Sequence, residues 1–95
     1  MAAYVVANIE VKDPEGYKDY SKLSRPAMEK YGGKALVRNG QVDIKEGTFV
    51  PKRFVILEFE SMEQAQAYYN SPEYQAAKAI REKYAVTDFI IVEGA

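Results

Sequence analysis

Two helix-start signals ten residues apart, Ser61-Met62-Glu63-Gln64 and Ser71-Pro72-Glu73-Tyr74, constrain this chain more than any other feature. A serine with glutamine three residues on is a capping box, in which the serine oxygen satisfies an amide of the first turn. Ser-Pro-Glu supplies a cap, a proline whose fixed φ suits the first helical position, and an acid where the helix dipole favours one. The second half of the chain therefore holds a short helix, a break at Asn70-Ser71 and another helix. Strand-like runs flank that pair, and the first half repeats the plan with a single helix.

The runs themselves are legible. Residues 3–11 alternate, with Val5, Ala7, Ile9 and Val11 on one face and Tyr4, Val6, Asn8 and Glu10 on the other. Asp13-Pro14-Glu15 opens a helix whose apolar face is Tyr17, Tyr20, Leu23, Ala27 and Tyr31. Pro26 interrupts that face and predicts a kink, and Gly32-Gly33 ends the helix. Residues 34–38 read as a short strand, and Asn39-Gly40 is the strongest hairpin signal in the chain, so residues 41–46 are expected to return as a small fifth strand. Phe54-Val55-Ile56-Leu57 predicts a strand buried on both faces, and residues 87–93 predict the last strand.

The expected fold is therefore α+β: a ferredoxin-like βαββαβ sandwich over residues 1–95, one domain, with a four-stranded antiparallel sheet plus the short hairpin strand. Helices cover one face of such a sheet. The other, roughly 400 Å² for four strands of about six residues, carries several of Val6, Phe54, Ile56, Phe89 or Ile91. A patch of that size is at the margin of what a monomer exposes, so a homodimer packing sheet against sheet is expected.

Composition closes off several functions. Thirteen basic and fourteen acidic residues, interspersed, give no electrostatic footprint for nucleic acid or a membrane surface. With no cysteine and no histidine, thiolate chemistry, zinc-thiolate sites and histidine-ligated haem are excluded, and neither metal nor cofactor is expected. No apolar run has the length of a membrane span, so the expected setting is cytoplasmic. Any proton transfer falls to carboxylates, tyrosines, lysines or arginines.

The opening Ala-Tyr-Val-Val-Ala, Asp13-Pro14 with Tyr17 and Tyr20, Tyr31-Gly32-Gly33, Glu46-Gly47 and Pro51-Lys52-Arg53 together resemble the domain of unknown function 1330 family. So do Glu58-Phe59, residues 68–75, Arg81 and Val92-Glu93-Gly94, so that the resemblance spans essentially the whole chain. It implies a dimeric α/β barrel built from ferredoxin-like subunits and supplies no reaction. In that superfamily the cofactor-free monooxygenase pattern joins Asn, Trp and His; this chain has Asn8 but neither of the others.

The candidate site residues are few. Arg38, Glu46 and Arg53 lie near strand ends and adjoin one loop. They are either a bidentate clamp for a carboxylate or phosphate, with Glu46 orienting an arginine, or a rim ion-pair network. Glu58 interrupts an apolar strand and is either a catalytic acid or base with a raised pKa or half of an ion pair. Tyr20 and Tyr69 sit mid-helix on apolar faces and, with Asn8, are candidates to bind a small organic molecule in a subunit pocket. Two functions stay open: a cofactor-independent enzyme on a small organic substrate, and a ligand-binding or interaction module without turnover.

Overall fold

The computed structural model describes residues 1–95. Its elements run β1 (Ala3–Val11), α1 (Pro14–Lys30), β2 (Lys34–Arg38), β3 (Arg53–Phe59), α2 (Met62–Asn70), α3 (Pro72–Tyr84) and β4 (Ala85–Glu93). The strands form one antiparallel sheet in the order β2-β3-β1-β4, with β1 central and β2 and β4 at the edges. This is the ferredoxin-like arrangement. The sheet is open and closes no barrel by itself.

The alternation in β1 sets the layers. Ala3, Val5, Ala7 and Ile9 are buried beneath the helices, and Leu57 and Phe59 of β3 join them. Tyr4, Val6 and Asn8 point to the open face, where the register sets them opposite Glu58, Ile56 and Phe54. On the same face, Val86, Ile90 and Val92 of β4 are exposed.

Local chemistry accounts for each helix end. The Asp13 carboxylate accepts from the Glu15 and Gly16 amides at 3.1 and 3.4 Å, capping α1. Helix α1 runs unbroken through Pro26 to Lys30. At its end the Gly33 amide donates to Met28 O and the Gly32 amide to Glu29 O, the two bonds of a Schellman motif. Gly32 has φ +77°, and a Cβ on Gly33 would stand 2.7 Å from Phe59 and Met28 atoms, so both positions suit glycine. Met28, rather than the expected Leu23, completes the buried face of α1, and Leu23 is exposed.

Ser71 joins α2 to α3 as a single hinge residue. Its hydroxyl accepts from the Tyr74 amide at 3.0 Å and donates to Tyr68 O at 2.7 Å. The Ser61 hydroxyl caps α2 through the Gln64 amide at 3.1 Å. Gln64 does not return that bond; its amide nitrogen donates to Tyr31 O at 2.8 Å and ties α2 to the end of α1.

The fifth strand is absent: residues 40–52 carry no regular structure. A type I′ hairpin turn needs positive φ at two successive residues, and here Asn39 has φ +54° while Gly40 does not. The Asn39 amide donates instead to Phe54 O at 2.7 Å, so β2 pairs with β3 and the intervening chain loops out. No helix is long and apolar enough to cross a membrane.

Candidate functional site

Between α1 and the helix-covered face of the sheet lies a cavity of about 80 Å³. Ala7 and Ile9 of β1, Val55 of β3 and Phe89 of β4 line its floor. Spacings of three and four along α1 bring Tyr17, Tyr20, Ser21 and Ser24 over it, and Arg25 joins them. Arg38 and Arg53 complete the lining from the strands.

Arg38 reaches this side because of a β-bulge. Ala35 stands opposite Leu57 on the helix-covered face, and unbroken pairing would set Arg38 opposite Phe54 on the open face. The register slips between Ala35 and Val37, which sets Arg38 opposite Val55 instead. Arg53 is two residues before Val55 on the same strand and shares its face. The two arginines are thus diagonal neighbours across β2 and β3.

The electrostatics are one-sided. Five lysines (Lys12, Lys18, Lys22, Lys30 and Lys45) make the ion pairs of this protein, with Glu10, Glu15, Asp19, Glu73 and Asp43. None of the four arginines has a carboxylate within 4 Å. Three line the cavity, and no Asp or Glu lines it. The fourth, Arg81, is 5% exposed, with its guanidinium 5.9 Å from the Tyr20 ring centre and 5.6 Å from that of Phe89. Its Nε has no hydrogen-bond partner. Arg53 lies 5.9 Å from the Tyr17 ring centre.

Burial pushes the phenols of Tyr20 and Tyr68 far above the ordinary tyrosine range, and Tyr74 up to about 12. Tyr17 is also raised, by burial, against the opposing pull of Arg53. The Tyr20 and Tyr74 hydroxyls lie 2.8 Å apart. Tyr17, Tyr20 and Tyr68 therefore face the cavity as neutral hydroxyls at physiological pH.

Of the residues singled out by sequence, Tyr20, Arg38 and Arg53 come together here. Asn8 is on the open face, where its side-chain oxygen accepts from the Lys52 amide at 2.7 Å and anchors the end of the irregular segment. Glu58 also faces away from the cavity, accepting from the Tyr4 hydroxyl at 3.4 Å, with Lys34 opposite in register. Tyr69 packs at 5.6 Å from Tyr74 and 5.1 Å from Phe89 without lining the cavity. Glu46 is exposed and lines a separate groove with Val42, Phe49 and Phe54, apart from both arginines. Arg25, Ser21 and Ser24 belong to no motif of the sequence, and Arg81 figures there only in the family resemblance. The helical spacing of Tyr17, Ser21 and Ser24 is the signal available for the first three, and for Arg81 it is that resemblance together with its place two turns after Tyr74 on α3.

Comparison with known proteins gives a family. A family model described as a domain of unknown function, DUF1330, matches residues 2–95. The chain belongs to the DUF1330 family. Among solved structures it is similar to a protein of unknown function from Rhodopseudomonas palustris, at 19% identity and TM-score 0.73, covering 99% of this chain and 82% of that one. A dimeric ferredoxin-like protein of unknown function from Jannaschia sp. CCS1 matches at 14% identity and TM-score 0.66, covering 99% and 100%. SnoaB, a cofactor-independent oxygenase from Streptomyces nogalater, matches at 6% identity and TM-score 0.68, covering 99% and 93%. At these identities the likeness is one of fold. No curated protein matches the chain.

Proposed function

We propose that this DUF1330 protein is a homodimer whose subunits each bind a small organic anion, a short carboxylate foremost, in the cavity under α1. The observation that carries this reading is the division of labour among the cations: the ion pairs use lysines, whereas Arg25, Arg38 and Arg53 line one cavity free of any acid. Guanidinium groups left without carboxylates beside a half-apolar cavity form a site for a planar anion, which they bind in bidentate fashion. The bulge adds support, since it spends ladder regularity to bring Arg38 beside Arg53. A cavity of about 80 Å³ is small beside the ~300–1,000 Å³ of drug-sized pockets, which limits the occupant to a compact molecule.

Binding without turnover is the primary reading. No carboxylate reaches the cavity, and the phenols of Tyr20 and Tyr68, held neutral by burial, serve as hydrogen-bonding groups rather than bases. Glu58, the candidate acid or base, faces the opposite side of the sheet. Turnover of the bound anion is the second reading. It is favoured by the capacity of paired guanidiniums to stabilise charge developing on oxygen, and by a fold shared with a cofactor-independent oxygenase. Dimerisation is supported by the apolar open face and by fold relatives described as dimeric.

Thermal melts with acetate, pyruvate, phosphate and sulfate test the site, with chloride at matched ionic strength as the control. Ligand at about ten times its Kd adds roughly 1.4 kcal/mol, a rise of several degrees in a domain this small. Arg53→Gln is expected to remove that saturable rise and leave the dimer intact. A parent protein that responds to every anion as it does to chloride sinks the reading.

A further inference from the structure

The irregular segment between β2 and β3 is exposed and unpaired. Residues 40–51 make no backbone hydrogen bond, and residues 40–50 are exposed, so their amides and carbonyls meet water and are free to pair with another chain. Residues 41–45 alternate, with Val42 and Ile44 each about half exposed (50% and 52%) and Gln41, Asp43 and Lys45 on the other side. That is the period of a strand. It lacks only a partner.

A matching surface lies at the far edge of the sheet. Strand β4 has nine residues and pairs with β1 alone, so its outer edge is free. Val86, Ile90 and Val92 are exposed on its open face at 62%, 57% and 46%. A long free edge beside an apolar strip is one that natural proteins cover. The arm cannot cover it in its own chain, because it springs from β2 and β3 at the opposite side of the sheet.

The areas point to a second copy. A 10.7 kDa monomer is expected to expose about 5,500 Å². This protomer exposes 6143 Å². A stable interface takes about 800 Å² from each partner, and the open sheet face alone offers roughly half of that. The arm adds exposed apolar surface to it through Val42, Ile44, Phe49 and Val50, and Phe49 packs edge-on against Phe54 of the open face at 6.3 Å. Arm and face thus form one continuous apolar surface.

We propose that residues 40–51 add a fifth strand to the free edge of β4 in a second copy of this chain, with Val42 and Ile44 beside its Ile90. The exchange is reciprocal about a two-fold axis, so each sheet gains in trans the strand that the Asn39-Gly40 sequence predicts in cis. The inference rests on the dimeric reading above. It goes beyond it in naming the segment that crosses between subunits.

Hydrogen exchange on the full chain tests it, beside light scattering and the double variant Val42→Asp/Ile44→Asp. Both side chains are half exposed in the protomer, so the variant is expected to keep its circular dichroism. In the parent dimer, amides 41–46 should exchange on the order of 100-fold more slowly than in an unstructured peptide. The variant should lose that protection, with a dimer Kd raised on the order of 100-fold or more. A parent dimer whose amides 41–46 exchange freely overturns the arm exchange and leaves the dimer standing. A parent that is monomeric at micromolar concentration overturns both. A variant that still dimerises with protected arm amides removes Val42 and Ile44 from the contact. Should the variant fail to fold, the exchange pattern of the parent decides alone.

Discussion

Replacing Ser71 by alanine is expected to destabilise the protein by about 2 kcal/mol. The residue is 4% exposed, and its hydroxyl makes two bonds, one from the Tyr74 amide and one to Tyr68 O. These losses are unequal. Tyr68 O keeps the Ser71 amide at 3.2 Å, so it stays satisfied after substitution. The Tyr74 amide has no other acceptor in reach, because the first amides of a helix lack intrahelical partners. Tyr74 is fully buried, so water cannot replace the serine. A lost cap costs about 1 kcal/mol where water can substitute, and an unpaired buried donor costs about 1–3 kcal/mol. The two estimates describe one bond and overlap, which places the total near 2 kcal/mol.

With an unfolding entropy of about 2.1 cal/mol/K per residue, that loss lowers Tm by roughly 10 °C in a chain of this length. Calorimetry should show the shift, and urea melts should show a lower midpoint at an unchanged m-value. Parent and variant must be compared at one protein concentration, since the proposed dimerisation would make Tm concentration-dependent. Pro72→Ala is the control: a proline at the first helical position gives up no bond, so its effect stays within about 1 kcal/mol. A Ser71→Ala protein that melts within about 2 °C of the parent would refute the reasoning, since the Tyr74 amide would then have another partner.

The Tyr20–Tyr74 hydroxyl pair should behave as a unit: Tyr20→Phe and Tyr74→Phe each cost about 1–2 kcal/mol, while the double variant costs less than their sum, with a coupling near 1 kcal/mol in urea melts. Alkaline pH should unfold the protein. The folded pKa values of Tyr20, Tyr68 and Tyr74 lie above 10, so from pH 10 upward the unfolded state loses protons that the folded state keeps. Their contribution is fully present below pH 10; that of Tyr74 is lost between 10 and about 12, and absorbance at 295 nm should show these phenols ionising only as the circular dichroism collapses. A smooth titration of all tyrosines in a protein that remains folded would count against the burial described.

What could be foreseen in the sequence depended on how far the deciding contact lies along the chain. The caps at Asp13, Ser61 and Ser71 act within three residues, and each is where its motif put it. The alternation in β1 fixed which side chains are buried. Strand register is different, because it is decided by a partner elsewhere. Asn39-Gly40 looked like a hairpin, but the Asn39 amide found Phe54 O fifteen residues away. The same distance hid the bulge at Leu36, and with it the turning of Arg38 toward the cavity. Arg38 and Arg53 flank one loop and line one cavity, whereas Glu46, on that loop, lines another groove. Burial of Arg81 among tyrosine and phenylalanine rings ran against the general exposure of charged residues, so composition alone gave it no prominence.

On the anion-binding reading proposed above, the separation of lysines from arginines also shapes how the anion arrives. Each lysine in an ion pair sits within 4 Å of its acid, so at a distance those charges cancel in pairs. The guanidiniums at the cavity have no such neighbour, and low-dielectric walls focus their field outward through the mouth. A chain with net charge -1 thus presents a local positive potential to an approaching anion. Its reach is the Debye length, about 8 Å at physiological salt and about 30 Å at 0.01 M. On that reading encounter is faster in dilute buffer, while the short guanidinium contacts proposed to hold the anion change less with salt. Salt would act on how quickly the cavity fills more than on how long it stays filled.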